Sequence, residues 1–127
     1  MRGAADLAVM GNETISAEAL YDQSEMTTTT DVEQANRLLG QVGLLISVDD
    51  WVRAETLLER VERIGLEHSL IAANLHRRRA DLAMRKEDYF SAIEEAGLAR
   101  SLYERAGKKA SAARCLRLSA DAHALCG

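Results

Sequence analysis

Three histidines, two cysteines and sixteen lysines and arginines are the side chains of this 127-residue chain that carry reactivity or positive charge. His76 and His123 fall on inward faces of different expected helices, and His68 falls in an expected turn. Neither His68 nor His76 has a second metal ligand three or four residues on, so the histidines read as structural rather than as a zinc or acid–base site. Cys115 and His123 share one expected helix, where eight residues separate them by about 12 Å along the axis, too far for a nucleophile and its base. Cys115 and Cys126 give neither a disulfide framework nor a metal-site spacing, and read as a small buried residue and a loose terminal thiol in a reducing compartment. Gly40 and Gly43 lie inside a helical pattern rather than in a phosphate-binding loop. What remains is guanidinium chemistry, the bidentate holding of carboxylates. It centres on Arg77, Arg78 and Arg79, although three consecutive helical residues sweep about 200° and cannot all face one ligand.

The elements that position these arginines are helices. Residues 75–107 read as two of them folded back on each other. Ala73, His76, Ala80 and Ala83 line one face of the first, and Tyr89, Ala92, Ile93, Ala96 and Ala99 line one face of the second. Alanines permit close approach, and the polar break Lys86-Glu87-Asp88 permits an antiparallel hairpin.

Upstream, Thr30 and Glu33 form a capping-box pattern that starts a helix running from Asp31 to about Val48, with Ala35, Leu38, Val42 and Leu45 inward. Asp49-Asp50 breaks it and offers an N-cap to a helix over Trp51 to Ile64, with Gly65 as its C′ stop. Further helices are expected over Ser69 to Arg85, Asp88 to Arg105 or Ala106 with Gly107 as the stop, and Lys109 to Leu125. Residues 1–29 read as a flexible acidic tail ahead of a helical domain over residues 30–127. Ser16 can cap only a short helix there, and the threonine run marks a linker.

Composition agrees with an all-α chain. Proline is absent and aromatics are 4% of residues, while Ala, Leu, Glu and Arg, the strong helix formers, abound. The length suits one domain with a modest core. Charge is uneven: residues 1–50 hold two basic and nine acidic residues, and residues 51–127 hold fourteen basic and eleven acidic. The acidic front half argues against a general nucleic-acid binder, and the arginines of the back half leave room for an acidic ligand. No stretch approaches the roughly 20 apolar residues of a membrane span. The run from Ala4 to Met10 is a poor signal peptide, so a cytoplasmic setting is expected.

The helices also repeat. Asp50-Trp51-Val52-Arg53-Ala54 returns as Asp88-Tyr89-Phe90-Ser91-Ala92, and Ala35-Asn36 as Ala73-Asn74, both shifted by 38. Ala72-Ala73 and Ala80-Asp81 return as Ala112-Ala113 and Ala120-Asp121, shifted by 40. A period near 40 in an all-helical chain signals stacked hairpins, each burying its apolar face on the next.

With these residues in place the chain resembles the tetratricopeptide repeat. The repeat's large and small slots are filled by Leu38, Val42, Leu45, Trp51, Ala54 and Val61 in a first unit. His76, Ala80, Ala83, Tyr89, Ala92 and Ala99 fill them in a second, and Leu116, Ala120 and His123 in an unpaired last helix. The spacing of 38 to 40 resembles the longer-helix variants found in bacterial regulators. The resemblance implies an α-α superhelix of antiparallel hairpins, two repeats plus a capping helix, whose first helices line a concave groove. Its ligand-facing slots map onto Asn36, Leu39, Gly40, Gly43 and Ile46, then Asn74, Arg77, Arg78, Asp81 and Arg85, then Arg114, Arg117, Leu118 and Asp121. The peptide-binding set is taken as Asn36, Leu39, Asn74, Arg77, Arg78, Arg114 and Arg117, with no catalytic residue, cofactor or metal.

The expectation is therefore a non-enzymatic interaction module, a scaffold, chaperone or adaptor, holding an acidic peptide or partner helix. The alternative is a nucleic-acid-binding helical module using the arginines of the third helix. Self-association through an open end of the stack is expected as well, as a homodimer. The acidic tail itself has the composition the groove would want.

Overall fold

The computed structural model describes residues 29–65 and 67–126, and every regular element among them is an α-helix. These are α1 (Thr29–Ser47), α2 (Trp51–Gly65), α3 (Ser69–Arg85), α4 (Tyr89–Arg105) and α5 (Lys109–Cys126). The helical periodicity thus locates all five. The chain separates into two compact units, Met1–Glu33 and Gln34–Gly127. Of the first unit, the described part is the opening turn of α1, where Thr30 stands inside the helix rather than capping it from outside. First-turn amides lack intrahelical partners whichever residue begins the helix, so such a start shifts at little cost. The expected tail, apart from Thr29, and the short helix after Ser16 lie outside the described residues.

In the second unit, three connections close with one backbone device. After α1, α3 and α4 the chain turns through a left-handed residue, Asp49 at φ 61°, Glu87 at φ 62° and Gly107 at φ 75°. The following amide then reaches back to a carbonyl five residues earlier: Asp50 to Leu45 at 2.9 Å, Asp88 to Ala83 at 2.8 Å and Lys108 to Tyr103 at 2.9 Å. This is the Schellman closure, which satisfies the carbonyls a helix end leaves unpaired. Asp50 and Asp88 then start the next helix, their carboxylates accepting from the amides of Arg53 at 3.4 Å and Ser91 at 3.3 Å. Gly65, expected just beyond α2, is instead its last residue and is buried.

A left-handed conformation costs an L-residue about 1–2 kcal/mol relative to glycine. Glu87 is exposed and makes no ion pair among the described residues. Glu87→Gly should therefore stabilise the domain by about 1 kcal/mol, read as a raised urea midpoint with an unchanged slope. Asp49 occupies the same conformation but lies 3.5 Å from Arg85, so Asp49→Gly should gain less.

Helices α3 and α4 run antiparallel along a seam of alanines. Ala73, Ala80, Ala96, Ala99 and Tyr103 form one buried cluster together with Ala112 and Cys115 of α5. Ala83, Ala92 and Ala122 form a second. Small side chains on both partners let the backbones approach, and the residues between them are almost fully removed from water. Two polar pairs cross this seam. The Tyr103 hydroxyl donates to Asn74 Oδ1, and His76 Nδ1 lies 2.6 Å from Glu95 Oε1.

Outside the seam, α2 and α3 are tied by Lys86 to Glu55 at 2.6 Å and Arg79 to Glu62 at 2.7 Å. Such exposed pairs contribute only about 0–1 kcal/mol each. The burial that matters lies beneath them, where Ile71 and Leu75 of α3 and Val61 of α2 are 0–1% exposed.

Candidate functional site

Helix α3 presents its arginines in three directions. Arg79 turns toward α2 and pairs with Glu62 at 2.7 Å. Arg85, at the end of α3, donates to the carbonyls of Ile46 at 3.4 Å and Ser47 at 3.0 Å. That guanidinium closes the last turn of α1, where free carbonyls and the helix dipole favour a cation. Arg77 and Arg78 point the third way. Together with Arg114 and Arg117 of α5 they line an open pocket of about 660 Å³ whose wall also includes Gly43 and Asp81. The sweep of consecutive helical residues thus sorts the three arginines as geometry requires: two share the pocket and one does not.

The pocket has a definite shape at Gly43. A Cβ placed there would sit 3.0 Å from the Arg78 guanidinium carbon, closer than side chains pack. Glycine at this point of α1 lets the Arg78 guanidinium lie against the helix backbone. Arg78 is also held from its own helix by Asp81, 3.5 Å away.

Arg77, Arg114 and Arg117 have no ion-pair partner among the described residues, and Arg77 Nε is buried with no hydrogen-bond acceptor. Like charges brought to one place repel, and an unsatisfied buried donor costs about 1–3 kcal/mol. The repulsion falls when an anion enters.

Asp81 is the pocket's own carboxylate besides the exposed Asp121. Burial pushes its pKa up, and the nearby Arg78 and Arg77 only partly offset this. Burial likewise raises the Tyr103 hydroxyl and the Cys115 thiol. An inert buried thiol follows for Cys115, whereas Cys126 is exposed.

The expected peptide-binding set divides. Arg77, Arg78, Arg114 and Arg117 come together in the pocket. Asn36, Leu39 and Asn74 do not line it. Leu39 is 4% exposed and belongs to the core, because the flank of α1 that was expected to be open is covered. Asn36 is exposed elsewhere on α1. Asn74 is committed to Tyr103 across the alanine seam, a partnership that joins positions 29 residues apart and leaves no local pattern. The structural roles of Arg85 and Gly43 also depend on contacts between α1 and α3 that sequence spacing does not display.

His123 and Cys126 stand three apart on α5, but among the described residues no group of three or more His, Cys, Asp or Glu side chains comes together as a metal site. His76 is paired with Glu95, and Cys115 is buried in the core. No helix among the described residues is long and apolar enough to cross a membrane.

The fold and this pocket define the chain as an all-helical protein with a convergent arginine site. No family model, curated protein or solved structure matches it.

Proposed function

We propose that this chain is a non-enzymatic interaction module, similar in design to tetratricopeptide repeats, that holds an acidic segment of a partner protein in the arginine pocket between α3 and α5. The observation that carries the reading is the convergence on one cavity of Arg77, Arg114 and Arg117, three guanidinium groups that form no ion pair among the described residues. Guanidinium groups grip carboxylates through paired hydrogen bonds, giving direction as well as attraction. The apolar part of the wall, Ile46, Met84 and Leu118, suits an aliphatic side chain beside the acidic ones. The ligand is then an extended or helical peptide in which carboxylates flank a Leu, Ile or Val.

A labelled peptide alternating leucine and glutamate tests this. Fluorescence anisotropy should show saturable one-to-one binding that a lysine-for-glutamate version lacks. Equal binding of the two peptides, or none by either, would remove the reading. A single-stranded oligonucleotide measured alongside separates peptide from nucleic-acid recognition, since binding governed by phosphates falls steeply with salt.

A further inference from the structure

The internal repeat sets α3 and α5 in equivalent positions 40 residues apart, and their burial differs. Ala112, Cys115 and Ala122 of α5 are buried, as are their counterparts Ala72, Leu75 and Leu82 of α3. Ala73, Ala80 and Ala83 of α3 are buried as well, sharing clusters with residues of α4. Their counterparts Ala113, Ala120 and His123 are exposed, and Leu116, the counterpart of His76, is 51% exposed. The uncovered face of α5 is therefore the same surface that α3 gives to α4. On α1 the exposed counterparts of Leu75, Arg79 and Leu82 are Arg37, Gln41 and Leu44, a mixed polar and apolar set. The α5 face also keeps alanines at the two places, Ala113 and Ala120, where α3 packs Ala73 and Ala80.

We infer that the exposed face of α5, Ala113, Leu116, Ala120 and His123, docks an amphipathic partner helix patterned like α4 but with an apolar residue facing Leu116 and a carboxylate facing His123. The α3–α4 seam supplies the template. There Ala73 and Ala80 share one buried cluster with the small residues Ala96 and Ala99, so Ala113 and Ala120 take small residues at the same slots. His76 meets Glu95 at 2.6 Å, and since α5 has Leu116 in that place, the partner needs an apolar side chain where α4 has Glu95. Ala83 shares its cluster with Ala92, and with His123 standing in that place the partner carries an acidic side chain where α4 has Ala92. A second copy fits worse. Antiparallel docking through the same face sets Arg117, on its edge, against the Arg117 of the other copy, and like charges at a helix seam repel.

The probe is a synthetic peptide of residues 88–106 carrying Ala92→Glu and Glu95→Leu, titrated into the full chain. A peptide of this length is mostly unfolded alone in water, so docking is read both as one-to-one binding and as a gain in helical circular dichroism. Binding is expected with a Kd on the order of 10–100 µM, at least tenfold tighter than that of the unmodified 88–106 peptide. Leu116→Glu in the protein, at an exposed position, should abolish binding while leaving the protein's own melting curve unchanged. An excess of the leucine–glutamate peptide should not displace the helix, because the arginine pocket is a different surface. Three results overturn the inference: no binding at about 1 mM, binding that survives Leu116→Glu, or a preference for the unmodified peptide. Sedimentation in which wild type is a dimer and Leu116→Glu a monomer would also overturn it, by showing the face covered by a second copy.

Discussion

Arg77→Ala lowers the affinity for the leucine–glutamate peptide by about 10- to 150-fold, the equivalent of roughly 1.5–3 kcal/mol for hydrogen bonds to a charged group. The expectation is this large because Arg77 is the pocket cation with a buried, unpartnered Nε, so the bound carboxylate gains its partner without competing with another. Arg79→Ala is the matched control on the same helix. Its guanidinium is already paired with Glu62 outside the pocket, and affinity should change less than twofold. Anisotropy titrations at fixed salt measure both. Equal losses for the two variants would indicate a diffuse field of positive charge rather than a site.

Asp81→Asn should act in the opposite direction. Asp81 lies beside Arg78 and competes with an incoming carboxylate for it, so its removal strengthens binding. It also has a signature in stability. Its folded pKa is raised above the ordinary value of 3.8, chiefly by burial, so the folded state prefers the proton. The contribution of Asp81 to stability is then most favourable below its unfolded pKa and declines as pH rises through the folded value. The stability difference between Asp81→Asn and wild type, followed by urea denaturation from pH 3 upward, should shift in favour of the variant over that window and stay level above it.

Leu75→Ala should cost about 2–5 kcal/mol, the usual loss when a fully buried leucine leaves a cavity. Leu75 is 0% exposed, and against a typical total stability of about 5–15 kcal/mol the loss is a large fraction. Its repeat counterpart 38 residues earlier is Arg37, which is exposed. Arg37→Ala should therefore change stability by less than about 0.5 kcal/mol. Thermal and urea unfolding of the two variants tests whether equivalent positions of the repeat differ because one faces a neighbouring helix and the other does not. Similar effects at both positions would contradict the burial described here.

The sequence by itself determined what depends on short spacing. Helix type follows from apolar residues recurring every three or four places, the absence of proline and capping residues at the breaks. Asp50 announced its helix because a carboxylate three residues before an amide is a local geometry. The arginines of the pocket were named only through the resemblance to tetratricopeptide repeats, whose ligand-facing slots fall on Arg77, Arg78, Arg114 and Arg117. What only the tertiary structure decided depends on which faces are covered. Leu39 is an apolar residue on a helix whether it lines a groove or fills a core, and packing put it in the core. Asn74 is a polar residue that suits a ligand equally well, and Tyr103, 29 residues away, took it instead. The three adjacent arginines differ only in what each meets: a carboxylate on α2, a glycine on α1, or an open pocket. Those differences are contact energies between distant segments, and they come into being only when the helices meet.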